Sequence, residues 1–119
     1  MRTPSHPARQ DIQLPGLFHA LSDPVRLAIV AQLGAAGERY CGELDVQLSK
    51  STLSHHLKVL REAGVTWTRA EGTRRLTGLR SEDLDARFPG LLPAVLAAAG
   101  QAADGQATDG QGPAIRPAR

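Results

Sequence analysis

Apolar residues recur along this chain at two periods, and each period predicts a different kind of element. Leu14, Leu17, Phe18 and Leu21 follow helical spacing and give a short first helix with its apolar positions on one side. Asp23-Pro24 then restarts the chain: Asp23 suits a helix cap, and Pro24 suits a first helical position, where no backbone donor is required. Val25, Ile29 and Leu33 continue at every fourth position, and Gly34 and Gly37 are expected to stop this second helix. Residues 38–41 read as a short extended piece. Residues 42–48 are expected to form a third, brief helix with Leu44 and Leu48 inward.

Ser49 is a cap for a fourth helix, with Thr52 at the position whose amide the cap accepts, and Gly64 ends it. Leu53, Leu57 and Leu60 form the inward stripe. At about 100° per residue, Ser51, Ser54, His55 and Lys58 project to the opposite side, while His56 falls beside Leu53 and Leu60. The two histidines thus separate, one outward and one assigned to packing or to orienting the helix. From Val65 the period changes to two. Val65-Thr66-Trp67-Thr68-Arg69 alternates, Glu71-Gly72-Thr73 turns, and residues 74–79 return as a second strand. Trp67 is expected to pack the hairpin. Ser81-Glu82-Asp83 opens a last helical region whose apolar content is Leu84, Phe88, Leu91, Leu92, Val95 and Leu96, interrupted at Pro89-Gly90 and Pro93. Residues 1–12 show no periodicity and read as a mobile arm; residues 101–119 alternate Ala, Gly, Gln and Asp and read as a disordered tail. The domain itself is expected over 13–100, mainly α with a small β component: about five helices plus a hairpin.

Charge adds the functional direction. The net charge of +2 is bland until it is mapped. Residues 1–49 carry four Lys and Arg against five Asp and Glu, and residues 81–119 carry three against five. Residues 50–80 carry seven cations against two acids. The positive charge is therefore confined to the fourth helix and the hairpin. A helix that buries one face and offers Ser, Thr, His and Lys on the other suits the major groove of DNA, and a basic hairpin beside it suits the backbone or minor groove. The pattern is that of a winged helix-turn-helix.

Other chemistries find little support. Adjacent residues on a helix point about 100° apart, so Ser54 and His55 do not form a nucleophile–base pair. No Gly-rich phosphate loop, paired-acid spacing or cofactor fingerprint occurs, and the expectation is a non-enzyme without a cofactor. The single cysteine, Cys41, excludes an internal disulfide and a multi-thiolate zinc site within one chain. With Arg39 nearby to favour thiolate, Cys41 is a candidate redox-sensing residue, against the commoner fate of a lone cysteine as a small buried hydrophobe. Met-Arg-Thr-Pro-Ser-His-Pro has no apolar leader stretch, and no run reaches membrane-spanning length, so a cytoplasmic protein without membrane contacts is expected.

Three motifs carry a family resemblance. They are Ala20-Leu21-Ser22-Asp23-Pro24-Val25-Arg26, Ser54-His55-His56-Leu57-Lys58-Val59-Leu60-Arg61-Glu62-Ala63-Gly64, and Glu71-Gly72-Thr73-Arg74. Their order and spacing resemble the ArsR/SmtB family of bacterial repressors over roughly residues 14–99. The resemblance implies a dimer that leaves an inverted-repeat operator in double-stranded DNA when a small-molecule or redox inducer binds. It places Ser51, Thr52, Ser54 and His55 toward base edges, and Lys50, Lys58, Arg69, Thr73, Arg74 and Arg75 toward phosphates or the minor groove. It also assigns the leftover apolar positions of the first and last helices, Leu14, Leu17, Phe18, Leu91, Leu92, Val95 and Leu96, to a homodimer interface, in keeping with the small share of surface that so short a domain buries alone. Two departures bear on sensing. Metal-sensing members carry Cys-x-Cys before the Glu-Leu of the third helix, whereas here Tyr40, Cys41 and Gly42 precede Glu43-Leu44. Another family site uses Asp and His on the last helix, and residues 81–99 contain Asp83 and Asp85 but no histidine. No metal site is expected. The competing reading is a winged-helix interaction module whose basic face docks an acidic protein instead of specific DNA.

Overall fold

The computed structural model describes residues 4–108, with side chains described over 4–100. Five α-helices and three strands lie among them: α1 (Leu14–Leu21), α2 (Pro24–Ala36), β1 (Arg39–Tyr40), α3 (Lys50–Ala63), β2 (Thr66–Glu71), β3 (Arg74–Leu79), α4 (Ser81–Arg87) and α5 (Leu91–Thr108). The helices surround one core built from Leu17 and Ala20 of α1, Ile29, Val30 and Leu33 of α2, Leu57 and Leu60 of α3, Leu84 and Leu92. The strands form an antiparallel sheet in the order β1-β3-β2.

Local chemistry sets the helix ends. The Asp23 carboxylate accepts the amides of Val25 and Arg26 at 2.8 and 3.1 Å, and Pro24 begins α2. The helix then runs through Gly34, the first expected stop, and ends at Gly37, whose φ is +84°. Gly34 is kept for its lack of a side chain: a Cβ there would stand 2.7 Å from a methyl of Leu96, so glycine lets α5 approach α2. At the far end of α3, Gly64 adopts φ +91° and closes the helix on the carbonyls of Leu60 and Arg61.

Three regions differ from expectation. The third helix over 42–48 does not form. A single 3-10 turn at Cys41–Glu43 takes its place, and residues 45–49 carry no helix. Gln32 explains part of this: its side-chain amide donates to the Asp45 carbonyl at 3.0 Å and accepts the Asp45 amide at 2.8 Å. The backbone partners that a helix would have supplied come from α2, and a helix so short gains too few internal bonds to offset nucleation. Leu44 is buried, while Leu48 is only half-buried. The five-helix count survives because the last region splits into α4 and α5 around a Gly90 at φ +85°.

The N-terminal segment is the second. Of residues 1–12, expected as a mobile arm, 1–3 lie outside the described residues and 4–12 are strapped to the domain. Ile12 is 1% exposed and packs on Gly64, Arg80 donates to the Pro7 carbonyl at 2.8 Å, Arg9 pairs with Asp83 at 2.7 Å, and Arg87 reaches the carbonyls of Gln10 and Ile12. The third is the tail: the backbone of α5 continues to Thr108, and the rest of the expected disordered stretch, 109–119, lies outside the described residues.

Candidate nucleic-acid interface

Ser49 caps α3 as the sequence indicates. Its hydroxyl accepts the Thr52 amide at 3.2 Å and donates to the Thr52 hydroxyl at 2.9 Å, an arrangement worth about 1 kcal/mol. Leu57 and Leu60 are buried and Leu53 packs against the core, which turns the other side of the helix outward. Lys50, Ser51, Thr52, Ser54, His55 and Lys58 are all exposed. Within this group Thr52 is partly committed to the cap. Lys58 faces Glu62 one turn on at 4.0 Å, an exposed pair of little energetic weight.

His56 takes the other role foreseen for it. Its Nδ1 lies 3.2 Å from Nη1 of Arg26, a side chain only 8% exposed. A guanidinium only donates, so Nδ1 accepts and the neutral ring carries its proton on Nε2. Arg26 also donates to the Ala20 carbonyl at 2.7 Å and to that of His19 at 3.4 Å. One buried cation thereby ties the end of α1, the start of α2 and the inner edge of α3 together, fixing the roll of the helix that carries Ser54 and His55. Sequence reasoning passed over Arg26; its only signal was its place in the Ala20–Arg26 motif.

In the wing, a two-residue turn at Gly72 (φ +62°) and Thr73 joins β2 to β3, with Glu71 opposite Arg74. Thr73, Arg74 and Arg75 are exposed at its tip. Glu71 organises the neighbours: Arg69 donates to it at 2.8 and 3.1 Å, and the Tyr40 hydroxyl donates at 3.0 Å. Arg69 first, then Tyr40, hold the Glu71 carboxyl below its ordinary pKa, and the same carboxylate raises the Tyr40 phenol. The Arg74 guanidinium lies over the Tyr40 ring, 3.5 Å from its centre. Tyr40, unassigned in the sequence, is thus the hub from which β1 steadies the wing. Trp67 packs flat on Gly78 across the hairpin, where a Cβ would approach its ring to 2.6 Å.

Cys41 is half-buried at the edge of a cavity of about 590 Å³ between α3 and the wing. Burial pushes its thiol up, and Arg75, not Arg39, is the cation that opposes this. The expected activation by Arg39 is absent; that guanidinium donates to the Glu38 carbonyl. Among the described residues no cluster of three or more His, Cys, Asp or Glu is placed to hold a metal ion, and no helix is long and apolar enough to cross a membrane.

The expected dimer residues separate into two sets. Leu17 (1% exposed) and Leu92 (5%) lie inside the subunit and are not available to a second one. Leu91 and Leu96 pack against the core, Leu96 on Gly34. Among the described residues, Leu14 (38%) and Phe18 (54%) are the large exposed hydrophobics, and Phe18 and Val95 flank a shallow apolar groove between α1 and α5.

Known proteins agree with this architecture. A family model described as a helix-turn-helix domain matches residues 21–66. A Bacillus subtilis HTH-type transcriptional regulator, YceK, is 42% identical over 79 residues, which span 64% of this chain and 79% of that protein. The arsenical resistance operon repressor of Staphylococcus xylosus is 36% identical over 74 residues, which cover 61% of this chain and 71% of that protein. The crystal structure of the transcriptional repressor BigR from Xylella fastidiosa superposes with a TM-score of 0.57 at 31% identity, covering 77% of this chain and 96% of the other. With its three-stranded winged sheet and outward-facing α3, this chain belongs to the ArsR family of winged helix-turn-helix, DNA-binding transcriptional regulators.

Proposed function

We propose that the protein is a cytoplasmic dimeric repressor that occupies a palindromic operator and is released from it by an inducer. The observation that carries the reading is the outward face of α3, where Ser51, Ser54, His55 and Lys58 stand exposed beside Lys50 and a wing bearing Thr73, Arg74 and Arg75. Short hydroxyls and an imidazole bond base edges from a close helix, while the longer cations reach phosphates. Lys58 and Arg69 add to the phosphate set, and Thr52 contributes at the helix start. Dimerisation through Leu14, Phe18 and Val95 would set two copies of α3 in successive major grooves, about 34–36 Å apart. Repression would then be steric, the bound dimer excluding polymerase. Relatives named as an arsenical resistance operon repressor and as a biofilm growth-associated repressor support repression without naming the inducer here.

Selection of genomic DNA fragments with the purified protein tests this directly. One enriched inverted repeat is the expected outcome, bound with an affinity that falls with salt by a log-log slope of about −0.9 per phosphate neutralised. Recovery of no preferred sequence would instead favour a protein-docking module. A monomer by sedimentation at micromolar concentration would remove the dimer from the proposal.

A further inference from the structure

The Ala20 carbonyl lacks its ordinary helical partner. Helix α1 ends at Leu21, and the amide that would close on Ala20 belongs to the residue four places on, Pro24, which has none. Ala20 is fully buried, so water does not supply the missing donor. Nε of Arg26 supplies it at 2.7 Å. The His19 carbonyl needs no such help, since it already accepts from the amide and hydroxyl of Ser22. A single donor would therefore satisfy the junction of α1 and α2. Arginine brings a fork of donors, and it brings a charge. No carboxylate among the described residues lies within ion-pair distance of the guanidinium, and Asp23 uses its oxygen on the amides of Val25 and Arg26. Burying a cation without a counter-ion is costly, so repair of the junction does not by itself account for arginine.

Another arm of the fork reaches α3. Nη1 lies 3.2 Å from Nδ1 of His56, the sole side-chain hydrogen bond, among the described residues, between α3 and the first two helices. Otherwise α3 is held to the core by Leu53, Leu57 and Leu60. Apolar packing is non-directional and tolerates a small roll about the helix axis. A roll of about 10° moves an atom about 5–6 Å from that axis by roughly 1 Å. Hydrogen bonds to base edges, confined to about 2.7–3.2 Å, do not survive such a shift, whereas a long Lys or Arg side chain follows a phosphate through it.

We infer that Arg26 is a positioning residue for DNA sequence discrimination: itself buried, it aims Ser54 and His55 by holding His56. The inference rests on reading the outer face of α3 as the surface that meets base edges. Nε and Nη1 have separate duties, one sealing the junction of α1 and α2 and the other setting the roll of α3.

The test compares variants of the full chain on the selected duplex and on an unrelated duplex of equal length, at one salt concentration. His56→Leu removes the acceptor from α3 and leaves the bond to Ala20 in place. It is expected to weaken binding to the selected duplex about tenfold and to the unrelated duplex less than about twofold. His56→Asn puts an amide oxygen where Nδ1 stood and is expected to restore binding to within about twofold of the parent. Arg26→Lys keeps the charge, but one ammonium does not span both acceptors. It should lose discrimination as His56→Leu does, and combining the two should cost no more than the poorer single variant. Equal losses on both duplexes, His56→Asn as poor as His56→Leu, full discrimination in His56→Leu, or losses that add in the double variant would each overturn the aiming role. A second arm, without DNA, follows the ring nitrogens of His56 and the amides of Ser54 and His55 by NMR. A bare Nδ1 and a protonated Nε2 are expected in the parent, with loss of that single tautomer and shifted amides in Arg26→Lys. Unchanged signals there would show that Arg26 does not hold the ring. A parent chain with the expected ring signals that binds no duplex would sink the DNA reading, and the aiming role with it, while leaving the bond between Arg26 and His56 established.

Discussion

On α3 the side chains of Ser54 and His55 stand in solvent, whereas on the wing Arg69 and Arg74 are already held, by Glu71 and by the Tyr40 ring. Both regions are polar, and both would face DNA. They differ in where the ordering of their side chains comes from. Ser and His have few rotamers, and a helix fixes their Cβ positions, so a base edge can supply their partners at small entropic cost. Arginine carries about 2 kcal/mol of rotamer entropy. Resting on Glu71 and Tyr40 removes part of that freedom beforehand, and an exposed pair worth about 0–1 kcal/mol is readily exchanged for a phosphate. Reading is therefore built into the helix backbone, while gripping is built into a removable side-chain network.

Gly64 is where the two regions join, and altering it is expected to have the largest effect. A side chain there meets a left-handed backbone and, at 2.6 Å, Ile12. Gly64→Ala should lower stability by about 2–4 kcal/mol, from the left-handed strain and the overpacking together. Thermal unfolding checks it. A loss below about 1 kcal/mol would show that Ile12 moves aside and that the strap does not set the helix–wing angle.

Ser54→Ala and His55→Ala come next and should separate reading from gripping. Each is expected to cost about 1–3 kcal/mol on the selected operator and to leave unrelated duplexes nearly unaffected. Titration of both duplexes at one salt concentration decides it. Equal losses on the two would mean that α3 also only grips.

Glu71→Gln probes the other region, with a smaller effect. It removes a negative charge from the wing and releases Arg69, so binding to every duplex should strengthen several-fold at low salt and depend more steeply on salt. Weaker binding would show that Glu71 serves chiefly to hold the arginines in place.

The same contrast runs through what the sequence made legible. Where an element is governed by its own residues, pattern reading worked: Ser49, the Leu53–Leu57–Leu60 stripe and Gly64 delimit α3, and period-two alternation with Gly72 delimits the hairpin. Where the decisive partner is remote, it did not. Residues 42–48 have helical leucine spacing, yet Gln32 in α2 takes the backbone of Asp45. Residues 4–12 have no period at all, yet Ile12, Arg80 and Arg87 fasten them. Leu17 and Leu92 looked identical to Phe18 and Val95 until packing placed them inside. At the site, the cap, the outward face and the inward turn of His56 were legible. The hub role of Tyr40 and the buried Arg26 were not, because both act through contacts about thirty residues away.

The strap offers the finest discrimination between the two regions, through His6. Its Nε2 accepts the Thr68 amide at 2.9 Å on the outer edge of β2, a bond open only to the neutral ring. Burial, then the charges of Arg61 on α3 and of Arg80, lowers the His6 pKa from its ordinary 6.5, with the Pro4 carbonyl pulling the other way. Between the lowered value and 6.5 the unfolded chain binds more protons than the folded one, so stability rises with pH there. The contribution is complete above 6.5 and is lost as pH falls through the folded value. One hydrogen bond sets its size, about 1 kcal/mol at most for a half-buried ring. The stability difference between the parent and His6→Ala should therefore narrow as pH falls from about 7.5 to about 5. Over the same interval the Thr68 amide should lose protection against hydrogen exchange beyond the intrinsic effect of pH, while the amides of His55 to Lys58 keep theirs. Matched changes in both sets would mean that the strap steadies the whole domain, and a difference independent of pH would mean that His6 contributes packing alone.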